Sequence, residues 1–130
     1  MPSWKEKREL MDQALKELFV PKLRLLGFKG SYPHFRRYNE NSIDIIGIQF
    51  SQWGASFYIE ITKAPASGVI YPQGKHYPPK TIKFYQAKNR IRIGNNPFHY
   101  ESCEYHKAAD QAIDSLTEGE EWWARHESVI

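Results

Sequence analysis

The segment from Ile43 to Lys63 limits the fold more than any other stretch of the chain. Two apolar runs, Ile43-Asp44-Ile45-Ile46-Gly47-Ile48-Gln49-Phe50 and Ser56-Phe57-Tyr58-Ile59-Glu60-Ile61-Thr62-Lys63, are joined by Ser51-Gln52-Trp53-Gly54-Ala55. This pattern predicts a β-hairpin. In the second run Phe57, Ile59 and Ile61 alternate with Tyr58, Glu60 and Thr62, so a period of two puts the first set on one face and the second on the other. The first run is apolar on both parities, with Ile46, Ile48 and Phe50 on one and Ile43 and Ile45 on the other. An interior strand covered on both sides has that pattern.

The hairpin needs partners, and the chain on either side supplies them. Ser3-Trp4-Lys5-Glu6 has the spacing of a capping box, and Leu10, Met11, Ala14, Leu15 and Leu18 follow as one apolar stripe of a helix. Pro21 lacks an amide proton, which predicts a kink or restart near Phe19-Val20; Gly27 supplies the stop and Phe28 folds back on the last turn. His34 to Tyr38 reads as a strand and Asn39-Glu40-Asn41 as a turn, giving a three-stranded meander. A fourth strand, Arg90-Ile91-Arg92-Ile93, is closed by Gly94-Asn95-Asn96-Pro97. Between the third and fourth strands, residues 64–79 are rich in Pro and Gly, and long connections of this kind are often functional.

The last third reads as helical, with Tyr105, Ala108, Ala109, Ala112, Ile113 and Leu116 at helical spacing, Ser102 as the cap and Gly119 as the stop. Trp122 and Trp123 after it either cover one end of the core or form an exposed patch for a partner. The fold class is therefore α+β: one domain, residues 1–130, with an antiparallel sheet of about four strands flanked by an N-terminal helix and C-terminal helices.

Composition supports a folded chain. Hydrophobic residues make up 41% and aromatics 15% of the 130 residues, enough for an ordinary core without staples. The lone Cys103 cannot form an internal disulfide, and neither a signal peptide nor a membrane span is visible, which predicts a cytoplasmic protein with no membrane partner. Charge is unevenly placed. No acidic residue lies between Glu60 and Glu101, whereas from Glu101 onward acids outnumber Lys and Arg. The acidic end either folds back on the basic middle, or the basic middle faces an anionic partner.

Phe19-Val20-Pro21-Lys22-Leu23, Leu26-Gly27-Phe28-Lys29, Phe35-Arg36-Arg37, Ile48-Gln49-Phe50-Ser51 and Arg90-Ile91-Arg92-Ile93-Gly94 occur in that order. Over about residues 10 to 95 the chain thereby resembles a widespread bacterial family classed as domain of unknown function 4304. The resemblance implies a compact α+β domain, with some relatives serving as immunity proteins beside bacterial toxins, and brings no catalytic residues to transfer. The segment from Asn96 onward departs from the family pattern expected.

Three chemistries are weighed on the residues themselves. His99, Cys103 and His106, at spacings of four and three, would line one helix face as zinc ligands or pair a cysteine nucleophile with a histidine base. No paired-cysteine signature or nucleophile turn accompanies them, so the reading leans away from an enzyme and assigns no cofactor. The better surface is on the sheet. With Ile91 and Ile93 inward, Arg90 and Arg92 share the outer face with Tyr58 and Glu60, joined by Arg36 and Tyr38, and arginine beside tyrosine suits a carboxylate, a phosphate or a protein hot spot. Glu60 is expected to pair with Arg92 or Arg90 across strands. The leading function is a non-enzymatic protein-binding module, possible partners being another protein or, as the alternative, single-stranded nucleic acid. The second would use Lys75, Tyr77, Lys80, Lys83, Tyr85 and Lys88, where cations interleave with rings.

Overall fold

The computed structural model describes residues 2–67, 69–70, 76–77 and 89–126, with the backbone alone at 69–70 and 76–77. Helix α1, Trp4–Ala14, starts at the expected capping box: the Ser3 hydroxyl accepts from the Glu6 amide at 3.1 Å and the Glu6 carboxylate accepts from the Ser3 amide. A π-helical turn, Leu15–Phe19, then runs into α2, Val20–Leu25. Pro21 cannot donate to the carbonyl four residues back. The Val20 amide instead reaches back to the Leu15 carbonyl, and the kink or restart expected near Phe19-Val20 takes the form of a widened turn from which α2 starts at Val20. Leu15, Phe19 and Leu23 consequently stay buried.

At the end of α2 the Phe28 amide donates to the Leu23 carbonyl and the Gly27 amide to the Arg24 carbonyl, the double bond of a Schellman cap, with Gly27 at φ +93°. Phe28 is buried against Trp123, its ring centroid 5.2 Å away.

The main sheet has five antiparallel strands, not four. They are β1 Lys29–Ser31, β2 His34–Tyr38, β3 Ser42–Phe50, β4 Ser56–Pro65 and β7 Ile91–His99, in spatial order β1-β2-β3-β4-β7. Among the described residues the two short strands between them, β5 Val69–Ile70 and β6 His76–Tyr77, pair only with each other. The extra strand β1 has no apolar alternation to announce it and is held by its rungs to β2. Gly30 sits there at φ +121°, where a Cβ would meet the His34 carbonyl oxygen at 2.5 Å.

The last strand is also longer than expected. Gly94 to Pro97 do not close it; they bulge out of register between the rungs Ile59↔Ile93 and Phe57↔Phe98, after which the strand resumes. The Phe98 ring stacks on Phe57 at 5.1 Å, an apolar contact that returns the chain to the sheet.

Register fixes the two faces. Phe35, Ile46, Ile48, Phe57, Ile59, Ile61, Ile93 and Phe98 meet Met11, Ala14, Leu15, Phe19 and Leu23 of the first helices and Ala108, Ala109, Ala112 and Leu116 of the last ones in one core. On the other face Ile43, Ile45, Thr62 and Ala64 are buried as well, as the two-parity pattern of β3 requires.

The C-terminal helices are α3, Tyr105–Asp114, and α4, Leu116–Arg125. Ser102 is not the cap of α3; Glu104 occupies that position and its side chain makes no capping bond. Gly119 is not a stop either. It lies inside α4, where a Cβ would come within 3.3 Å of Ile93 Cδ1 and Trp123 Cζ3, so its lack of a side chain lets α4 lie close on β7. Trp123 is 1% exposed and Trp122 9%, and the pair closes one end of the core. Among the described residues no helix is long and apolar enough to cross a membrane.

Candidate binding site on the sheet

Three of the five sheet residues picked from the sequence come together. Glu60 on β4 and Arg92 on β7 form a rung, and the Arg92 Nε donates to Glu60 Oε1 at 3.1 Å. Arg90 Nε lies 3.6 Å from the other carboxylate oxygen. The Arg92 guanidinium is 3.8 Å from the centroid of the Tyr58 ring, a cation–π stack. Glu60 is 3% exposed, while the Arg90 and Arg92 side chains remain 44% and 41% exposed.

The β7 bulge shapes this place. Tyr58 has no rung partner on β7 because Gly94 to Pro97 loop out opposite it, and Asn96 from the loop joins Glu60, Arg90, Ile91 and Arg92 around an open recess of about 320 Å³. Gly94 turns the chain at φ +67°, its amide donating to Glu118 of α4 at 3.0 Å. A local sequence feature read as a stop is thus the feature that forms the recess.

Arg36 and Tyr38 are on the same face but not in the same cluster. They pair with Ile45 and Ile43 of β3, which pair in turn with Thr62 and Ala64 of β4. Three strand spacings, roughly 14 Å, separate β2 from β7, and the buried Ile45 and Thr62 fill the interval.

The other candidates fare differently. His99 is on β7, Cys103 precedes α3 with φ +65°, and His106 is in α3, so the three do not line one helix face; among the described residues no group of three metal-ligating side chains occurs. Lys75, Lys80, Lys83, Tyr85 and Lys88 lie outside the described residues, as does the side chain of Tyr77.

Two arrangements were not read from the sequence. The first is on the helix face, where Arg37 donates to Asp44 Oδ2 at 2.8 and 3.0 Å, to both carboxylate oxygens of Glu120 and to the Leu26 carbonyl. Its guanidinium also lies 4.5 Å from the Phe28 ring centroid. Burial alone would lower the Arg37 pKa, but the bonds to Glu120 and Asp44 outweigh it and hold the group above its usual value. The acidic end of the chain thus reaches Arg37 of β2 through Glu120 and the Gly94 amide through Glu118, neither of them a Lys or Arg side chain of the basic middle. The second is a recess beside Trp4 and Trp53; the signal for it was a tryptophan in a hairpin turn, where strands cannot bury it.

Residues 19–126 match the family model described as domain of unknown function 4304. The chain belongs to that family. The domain of unknown function 4304 match runs through β7, α3 and α4, so the segment from Asn96 to His126 is part of the family pattern and not a departure from it. No curated protein and no solved structure matches the chain.

Proposed function

We propose that this chain is a non-enzymatic protein-binding module in which Tyr58, Arg90 and Arg92 receive an acidic surface of a partner protein. The observation that carries the reading is the use of arginine donors. An arginine has five N–H groups. Among the described residues Arg92 commits only Nε to a hydrogen bond and Arg90 sits beyond hydrogen-bond reach of Glu60, so both keep donors for a second carboxylate. One buried carboxylate faces two guanidinium groups, which leaves a net positive charge. Stacking on Tyr58 and the bond to Glu60 hold Arg92 in place before a partner arrives, lowering the ordering cost of binding.

The immunity-like role implied by the family resemblance is one form of this reading, in which the acidic partner is a toxin encoded next to this gene. The single cysteine, Cys103, fits a reducing cytosol as the place where such a partner is met. The test is capture from native cell lysate with the wild-type chain and with Arg90→Gln/Arg92→Gln. A protein held by the first and released by the second, with retention falling as salt rises, supports the reading. Equal retention by both chains overturns it, and so does loss of the protein on nuclease treatment.

A further inference from the structure

The N-terminal half of α1 and the β3–β4 turn enclose a recess of about 230 Å³ lined by Trp4, Arg8, Ser51, Gln52, Trp53 and Tyr100. Trp53 is 93% exposed and Trp4 62%, although tryptophan is the side chain with most to gain from burial. Two large rings left open on the walls of one recess mark a contact surface. Tyr100, 3% exposed, gives it a fixed floor.

Arg8 supplies the only formal charge among these lining residues. Its guanidinium lies 3.6 Å from the Phe50 ring centroid and its Nε bonds Asp12 at 3.2 Å. The other four N–H groups have no hydrogen-bond partner among the described residues. Stacking and the Asp12 contact fix the fork without consuming it. The Ser51 hydroxyl already accepts from the Trp53 amide at 3.1 Å, and no Asp or Glu lines the recess, so the walls are richer in donors than in acceptors.

We infer that this recess is a second docking site, on the end of the molecule away from Arg90, and that it takes a linear peptide segment of a protein, an Asp or Glu on Arg8 and a neighbouring apolar side chain between Trp4 and Trp53. A sugar needs acceptors for its hydroxyl protons, and the walls lack carboxylates. A nucleic acid strand needs a row of cations, whereas the exposed surface of α1 alternates Lys5 and Arg8 with Glu6 and Glu9. The volume is below the usual range for a small-molecule pocket but suits one or two side chains. Trp, Tyr and Arg are also the residues that dominate protein-binding energy.

The test uses the full chain and a displayed library of random linear peptides. Enriched peptides carry Asp or Glu next to a large apolar residue. A synthetic copy, titrated by tryptophan fluorescence, binds Trp53→Ala and Arg8→Gln about tenfold or more weakly than wild type. Trp53→Ala melts like wild type, because the ring is 93% exposed and its loss leaves no cavity. Arg90→Gln/Arg92→Gln binds the peptide unchanged, which separates this site from the sheet site. No enrichment, a consensus without acid, binding indifferent to Trp53→Ala, or tighter binding of an oligothymidine at the same salt overturns the inference.

Discussion

Replacing Arg37 by Met tests the buried ion pair that this side chain forms with Asp44 on the helix face of the sheet. The side chain is 19% exposed and its partner Asp44 only 4%. Methionine keeps the bulk against Phe28 and Trp123 but leaves the Asp44 carboxylate buried with Lys63 Nζ at 3.9 Å as its nearest cation. Removing one partner of a buried pair costs about 3–5 kcal/mol, and at roughly 3–5 °C per kcal/mol for a chain of this size the melting temperature falls by about 10–25 °C. Asp44→Asn costs less, about 1–3 kcal/mol, because Arg37 keeps Glu120 and the Leu26 carbonyl. The double variant Arg37→Met/Asp44→Asn then loses less than the two single losses added, by about 1–3 kcal/mol. Guanidinium unfolding followed by tryptophan emission reads this out, since Trp123 lies 5.3 Å from the guanidinium. Additive losses, or a loss under about 1 kcal/mol for Arg37→Met, would refute the claim that Arg37 and Asp44 form a buried, mutually dependent pair.

Three further outcomes follow from single observations. Gly94→Ala lowers stability by more than the roughly 1–2 kcal/mol of a left-handed backbone, because its Cβ would meet Ser115 Cβ at 2.5 Å and Phe98 Cζ at 2.8 Å; a thermal melt equal to wild type contradicts this. Burial, then the bond to Asp12, raises the Tyr32 pKa, and burial raises that of Tyr100. The folded state holds these protons at a pH where the unfolded chain has lost them, so stability is full below about pH 10 and falls as pH rises beyond it. Denaturant titrations between pH 9 and 12 should show a shallower fall in Tyr32→Phe, by up to about 1.4 kcal/mol per pH unit; parallel curves would count against the burial of that phenol. Gly119→Leu separates α4 from β7 and exposes Trp123, seen as a red shift of its emission, whereas an unshifted spectrum would mean the helix has room to spare.

What the sequence made legible was whatever depends on short-range pattern. The capping box, the glycine cap, the hairpin and the faces of β3 and β4 are set by neighbours in the chain, and all were readable. The misreadings have one physical cause, that tertiary contact overrode a local signal. Gly94 to Pro97 look like a turn, but Phe98 finds Phe57 and draws the strand back. Gly119 looks like a helix end, but it serves the approach of α4 to Ile93. Lys29-Gly30-Ser31 has no strand pattern, yet β2 offers it an edge to pair with. In the site, Arg92, Tyr58 and Glu60 were found because alternation places them on one face. Their distance from Arg36 and Tyr38 depends on strand order, which alternation does not encode.

Strand order also explains why arginines on the two faces differ in what they leave available. Arg37 sits between β3 and α4, and with a carboxylate on each side and the Leu26 carbonyl above, all five of its N–H groups are taken. Such a side chain holds elements together and has nothing left for a ligand. Arg92 lies on the last strand of the sheet, where among the described residues no further strand pairs with β7 and Glu60 on the neighbouring strand is its one hydrogen-bond acceptor. The bulge keeps it so, since a regular strand would set a side chain opposite Tyr58 in place of the recess. Saturated donors inside make Arg37 a brace, whereas spare donors at the edge are what the proposed binding role asks of Arg92, and charge alone would not have told the two apart.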